Sequence, residues 1–137
     1  MTPDLITPEN LTNELLKSIL DAAYMDTSYD SDGDVKVRED ITCFLVVDAK
    51  RKNKIRLLTN FGFKPEASEL SRLQAVNNIN EKYAIVRATS IENDNLQFSW
   101  DIPIAGGITP KAIVLAIKRF CSIPRDAVLD YAKDITN

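Results

Sequence analysis

An acidic stretch near the N-terminus carries the clearest metal-binding pattern in the chain. Residues 28–39 nearly match a twelve-residue calcium loop, because Asp30, Asp32 and Glu39 fall at its third, fifth and twelfth positions. The first position is Ser28, where such a loop needs a carboxylate, and the following segment is typical of a strand instead of the required helix. We therefore expect an acidic loop leading into a strand, without a metal. Calcium binding by this loop is the alternative hypothesis.

The remaining reactive side chains do not form a recognisable catalytic set. The chain contains no histidine, which is the commonest general acid or base and the commonest metal ligand. Cys43 and Cys121 are far apart and lack CxxC spacing, so we expect two small buried hydrophobes. A disulfide between them is the alternative, which a reducing compartment disfavours. We predict a protein that is not an enzyme and has neither catalytic residues nor a cofactor.

A glycine pair before the last helix allows two interpretations. Gly106 and Gly107 precede Thr109 and Pro110, so their N–H groups could meet an anion at the start of a helix. The segment lacks the Gly-Lys-Ser/Thr ending of a phosphate-binding loop, and Pro110 removes one donor. We expect a turn in which glycine permits unusual backbone angles.

Charge is divided unevenly along the chain. Residues 1–40 hold ten acids and three bases, a net charge of −7, and residues 41–137 hold ten acids and fourteen bases, a net charge of +4. The sum of −3 disfavours binding to a phosphate backbone, so we expect no nucleic-acid partner. The densest group of bases, Lys50, Arg51, Lys52 and Lys54, is typical of a solvated hairpin tip.

Hydropathy indicates a soluble protein. The longest apolar run, residues 112–117, is far shorter than the roughly 20 residues that a membrane span needs. The first residues show no basic apolar leader. We therefore expect no membrane association and a cytoplasmic location.

Hydrophobic periodicity predicts an α+β protein made of one domain, residues 1–137. The order α-β-β-β-α-β-β-α, with two hairpins, implies a five-stranded antiparallel sheet packed with helices. The expected elements are a helix at 7–24 capped by Thr7, a loop at 26–34, strands at 35–38, 41–47 and 55–61, a helix at 67–80, strands at 83–91 and 96–102, and a helix from Thr109 that Pro124 interrupts. Residues 41–47 are apolar almost throughout, which favours a strand covered on both faces.

Two helices carry more apolar residues than one buried face requires. The last helix is apolar on most sides, so we expect either burial within the monomer or a contact with a partner. The second helix presents apolar residues at a spacing of three. The candidate dimer or partner contacts are Leu70, Leu73, Val76, Val114, Leu115 and Phe120.

Several segments together resemble the YbjN-domain family. They include residues 35–40, 55–61, 76–80 and 100–107, and the similarity runs from about Asp34 to Phe120. The resemblance implies the α-β-β-β-α-β-β-α order and a fold like that of type III secretion chaperones. It also implies a small, acidic, dimeric and non-catalytic bacterial protein. Members of the family are labelled as sensory transduction regulators. It supplies no catalytic residues.

The leading hypothesis is a cytoplasmic, homodimeric, chaperone-like protein that binds a partner polypeptide, by an apolar surface or by addition of a strand. The alternative is a regulator of bacterial signalling or stress response that responds to a small ligand. A cavity near Trp100, the single tryptophan, would favour this alternative.

Overall fold

The computed structural model describes residues 2–48 and 50–137. Along the chain these residues form four helices and six strands. They are α1 (Asn13–Ala22), β1 (Asp26–Tyr29), β2 (Val35–Arg38), β3 (Thr42–Val47), β4 (Lys54–Gly62), α2 (Glu69–Lys82), β5 (Arg87–Ile91), β6 (Asn95–Pro103), α3 (Pro110–Cys121) and α4 (Pro124–Tyr131).

The strands form one antiparallel sheet in the order β1-β2-β3-β4-β6-β5. The α+β class and the antiparallel sheet are as predicted, but the expected five strands and the order α-β-β-β-α-β-β-α are wrong. The observed order of the described elements is α-β-β-β-β-α-β-β-α-α. The additional strand is β1, in a segment that the sequence predicted to be a loop. Its four residues are all polar or exposed, with no apolar alternation to indicate a strand. Pairing with β2, from Asp26 opposite Arg38 to Tyr29 opposite Val35, makes this segment a strand.

The first two helices begin later than predicted. The side chain of Thr12 accepts a hydrogen bond from the Leu15 N–H and caps α1, whereas Thr7 lies in a preceding turn. Ser68 caps α2 in the same way. The predicted strand at 83–91 is shorter, because only residues 87–91 pair with β6.

The last helix follows the sequence closely. Thr109 caps α3, Pro110 occupies its first turn, and Pro124 begins the separate helix α4. The preceding turn uses glycine as expected, since Gly107 has a φ of 89° and a Cβ there would come within 3.3 Å of Leu5. The N–H of Gly107 donates to the Ile104 carbonyl, so this donor is not free for an anion.

The core lies on one face of the sheet, which we call the inner face. Alternate residues of the central strands point into it, including Leu45, Leu57 and Phe98, all fully buried. Helix α1 packs beside β1 and β2, α2 beside β5, and α3 beside β6. The core contains Ile19, Leu20, Ile79, Ile113, Ile117 and Phe120 from these helices. The residues that alternate with the inner face are therefore left on a second, outer face.

Candidate interaction surface

One row of side chains crosses the outer face from edge to edge. The strand register places its members opposite one another, and strict alternation keeps them on the same side of the sheet. From β1 to β5 the row is Ser28, Lys36, Phe44, Leu58, Ser99 and Arg87. All except Ser99 are half-buried or exposed, so no helix of the described chain covers the row.

The centre of the outer face is apolar. Phe44 and Val46 on β3 and Leu58 on β4 are only half-buried, and Phe44 lies directly opposite Leu58. Cross-strand neighbours of this kind have Cβ atoms about 5 Å apart, so the three side chains form a continuous apolar patch. The expectation that residues 41–47 are covered on both faces is wrong, because the helices pack on the inner face only.

Cations surround this apolar patch. Lys36 and Arg38 lie on β2, and with neighbouring residues they line a shallow cleft of about 240 Å³. On the other side, Arg56 donates two hydrogen bonds to Asp101, at 2.7 and 3.0 Å. Lys54 contacts the same carboxylate at 3.3 Å. The hydrogen bond from Arg56 is the main reason that the pKa of Asp101 lies below its usual value.

A side chain from α2 occupies part of one edge of the sheet. At the β5 edge, the side-chain amide of Asn80 donates to the Ala88 carbonyl at 3.0 Å and accepts from the Ala88 N–H at 2.8 Å. This clamp occupies backbone groups that an added strand would need. The sequence placed Asn80 only at the end of the predicted helix, because a contact between α2 and the strand edge has no local signature.

The acidic turn between β1 and β2 does not assemble the twelve-residue loop. The carboxylate oxygens of Asp30, Asp32 and Asp34 lie within 4.8 Å of one another. Asp30 also accepts hydrogen bonds from the Asp32 and Asp34 N–H groups, as in an ordinary turn. Glu39 lies at the next turn instead, 3.4 Å from Lys118 on α3. Burial, and then the two neighbouring carboxylates, raise the pKa of Asp34.

Cys43 and Cys121 are far apart in sequence but are neighbours in the structure. Both are free and buried, and the Cys43 thiol donates to the Phe44 carbonyl at 3.8 Å. The nearby Cys121 thiol and the loss of solvent raise the pKa of the Cys43 thiol. A thiol held in its neutral form is a poor nucleophile, so Cys43 behaves as part of the core.

The predicted contacts on α2 divide between the surface and the core. Leu70 and Leu73 are 66% and 51% exposed, whereas Val76 is half-buried against the core. The expected single stripe at a spacing of three is wrong. Three residues turn a helix by roughly 300°, which is about 60° short of a full turn. Each successive residue in a series spaced by three therefore lies about 60° further around the helix. Over three steps this drift carries the apolar series from exposed Leu70 to fully buried Ile79.

The predicted contacts on α3 divide in the same way. Leu115 is 55% exposed and Val114 is half-buried. Phe120 is fully buried, so it offers no surface to a partner. Burial within the monomer therefore accounts for most of the apolar character of this helix.

Trp100 lies on the inner face and is half-buried against the core. The main surface clefts of residues 2–48 and 50–137 have volumes of about 240–400 Å³, and Trp100 does not line them. No observation therefore favours a small-ligand cavity beside this residue.

A polar cluster at the end of α2 joins it to α4. Lys82 contacts the Asp130 carboxylate at 2.8 Å and the Tyr83 hydroxyl donates to it at 2.7 Å. These hydrogen bonds lower the pKa of Asp130 and raise that of Tyr83. Both shifts hold the groups in their usual ionisation states at neutral pH, which suits a structural contact better than proton transfer.

None of the helices in the described part of the chain has both the length and the apolar composition needed to cross a bilayer.

The family model YbjN, described as "Putative bacterial sensory transduction regulator", matches residues 12–128. No curated protein matches the chain in sequence.

Solved structures share the fold at low sequence identity. The crystal structure of YbjN from E. coli, described as "a putative transcription regulator", has a TM-score of 0.75 and 13% identity, over 93% of this chain and 96% of that one. An uncharacterized protein from Methanothermobacter thermautotrophicus has a TM-score of 0.63 and 15% identity, over 91% and 99%. The Yersinia pestis type III secretion chaperone SycH, in complex with a stable fragment of YscM2, reaches a TM-score of only 0.47 at 14% identity, over 81% and 98%.

Proposed function

The chain belongs to the YbjN family, and we propose that it is a non-catalytic, chaperone-like protein that binds a partner polypeptide on the outer face of its sheet. The observation that supports this function is the half-buried apolar patch of Phe44, Val46 and Leu58 at the centre of an uncovered sheet. Uncovered apolar surface on a folded domain commonly marks an interaction site. Its position between cations gives such a contact a polar rim.

A partner on this face would contact side chains, not backbone. The N–H and C=O groups of the central strands already pair within the sheet, so strand addition is restricted to an edge. Asn80 occupies part of the β5 edge. The face therefore suits a partner segment that satisfies its own backbone hydrogen bonds.

We also propose that the protein is a homodimer through α2, as the exposed pair Leu70 and Leu73 suggests. Asn77 lies between them in helical projection, so the middle of the exposed stripe is uncharged, with Glu69 and Glu81 on its two sides. A two-fold contact between two such stripes is therefore centred on uncharged residues. A contact between two outer faces would bring together cations such as Lys36 and Arg38.

Site-specific photo-crosslinking in the cell tests the partner site. A benzophenone amino acid replaces Phe44 on the outer face, and in a matched variant it replaces Tyr24, an aromatic residue between α1 and β1 that is 98% exposed. We expect discrete protein adducts from position 44 and none of the same mass from position 24. Adducts that are absent at position 44, or identical at both positions, would refute the proposed site.

Light scattering tests the dimer. The double variant Leu70→Glu and Leu73→Glu should shift the mass from a dimer to the 15.4 kDa monomer. Leu129→Glu, a change at an exposed leucine on α4, serves as the control and should leave the mass unchanged. A monomeric wild-type protein at micromolar concentration would contradict this proposal.

A further inference from the structure

The outer face carries charge of the opposite sign to the whole protein. Five bases and two acids of the six strands point to this face, a net charge of +3, although the complete chain carries −3. The remainder of the protein therefore carries −6. The bases are Lys36, Arg38, Lys54, Arg56 and Arg87, and the acids are Asp26 and Asp101.

Most of this positive charge is not neutralised within the protein. Asp101 neutralises one of its two neighbours, Lys54 and Arg56. Lys36, Arg38 and Arg87 take part in none of the ion pairs between described residues. The cleft beside Lys36 and Arg38 contains only one acid, Asp26, and so has a net charge of +1.

We infer that the outer face binds an acidic amphipathic helix of a partner protein, with apolar residues on the patch and carboxylates beside Lys36 and Arg38. This inference rests on the proposed function and specifies the partner's chemistry. Opposite charge favours this partner over a second outer face, which would oppose +3 to +3. A helix satisfies its own backbone groups, as a ligand of a sheet face must.

The dimensions of the face agree with a helix. A helix is about 10 Å wide, which equals roughly two strand spacings of about 4.8 Å. A helix above β3 and β4 would therefore cover Phe44, Val46 and Leu58. The neighbouring strand β2 would place Lys36 and Arg38 along its flank, where exposed cations can reach carboxylates.

The same surface is poorly suited to single-stranded nucleic acid. Phe44 is the single aromatic side chain on the outer face of the described strands, and its apolar neighbours Val46 and Leu58 are aliphatic. Stacking of successive bases requires several aromatic platforms.

Fluorescence anisotropy with defined probes tests the inference on the full chain. The first probe is a labelled helical peptide with a leucine stripe flanked by glutamates, the second has glutamine in place of each glutamate, and the third is labelled oligo-uridine RNA. We expect the glutamate peptide to bind at least about tenfold more tightly than the glutamine peptide, and more weakly as NaCl rises from about 50 to about 300 mM.

A pair of charge-matched double variants locates the binding site. Lys36→Glu with Arg38→Glu should weaken binding of the glutamate peptide at least about tenfold. Lys133→Glu with Arg119→Glu makes the same charge change at exposed positions outside the sheet and should leave affinity within about twofold. Circular dichroism and unfolding curves confirm that both variants fold.

Four results would overturn the inference. They are equal binding of the glutamate and glutamine peptides, equal effects of the two double variants, tighter binding of the RNA, and loss of a dimer in the Lys36/Arg38 variant. Any of the first three, together with protein adducts at position 44, would reject the acidic helix and leave the proposed partner site standing. Loss of the dimer would reject the acidic helix and also the proposed contact through α2. Absence of adducts would reject the proposed function itself.

Discussion

Leu57 and Leu58 are consecutive residues of one strand, yet they lie in opposite environments. Leu57 points into the inner face and is fully buried. Leu58 points to the outer face and is half-buried beside Phe44. Both faces of the central strands carry apolar residues, but the helices pack against only one of them. The inner face therefore supplies stability, and the outer face is available for recognition.

This difference shows why hydrophobicity alone does not separate core from surface in this sheet. Burying a leucine side chain contributes about 2 kcal/mol, and only the residues beneath helices gain that amount in full. An apolar residue that remains half-exposed contributes less to folding. A partner that covers it can gain the rest on binding.

The largest effect is expected from the matched pair Leu57→Ala and Leu58→Ala. Leu57→Ala should lower the free energy of unfolding by about 2–5 kcal/mol, because it leaves a cavity in the core. Leu58→Ala should cost less than about 1 kcal/mol, because water already reaches the side chain. Chemical denaturation of the two variants measures both values. Equal losses would show that the outer face is as well packed as the inner one.

A smaller effect is expected at the β5 edge. Asn80→Ala removes both hydrogen bonds to Ala88 and should lower the free energy of unfolding by about 1–2 kcal/mol. Asn77→Ala, at an exposed position of the same helix, should cost less than about 0.5 kcal/mol.

The freed β5 edge should also favour association, which light scattering measures as a rise in mean mass. If Asn80→Ala and Asn77→Ala have the same stability and the same mass, then Asn80 does not protect this edge.

The smallest effect is expected on the outer face itself, from Asp101→Asn. The cations beside Asp101 lower its pKa in the folded protein, so its charged form stabilises the fold above the pKa of about 3.9 that an unfolded aspartate has. This contribution is lost as the pH falls through the lower, folded pKa. Because the pair is partly exposed, we expect a loss of only about 0.5 kcal/mol at pH 7.

The difference between wild type and Asp101→Asn should disappear in acid, because the wild-type carboxyl group is then protonated as well. Urea denaturation at neutral and at acidic pH measures it. A difference that persists unchanged at the lowest pH would mean that the substitution acts through packing and not through charge.

Much of the fold follows from local patterns. The start of α3 was predicted from Thr109 and Pro110, and the start of α4 from Pro124. The alternation of Ile55 and Leu57 was sufficient to predict β4. Prediction was less accurate where local signals compete or are absent. Thr7 with Pro8 resembles a helix start as closely as Thr12 does, and β1 has no apolar alternation at all.

The candidate site was harder to predict than the fold. Phe44 and Val46 were expected in a strand, but nothing in residues 41–47 shows which face the helices cover. Leu70 and Ile79 belong to one apolar series in the sequence, and helical rotation separates them.

The sequence by itself determined the α+β class, the two hairpins at residues 42–62 and 87–103, the position of the last helices and the excess of acid near the N-terminus. These properties depend on neighbours along the chain, through hydrogen-bonding turns, caps and alternation. The tertiary structure alone decided that β1 pairs, that Cys43 meets Cys121, and that Phe44 and Lys36 share an uncovered face. Each of these depends on which distant segments pack together, and packing of helices on one side of the sheet is a property of the whole chain.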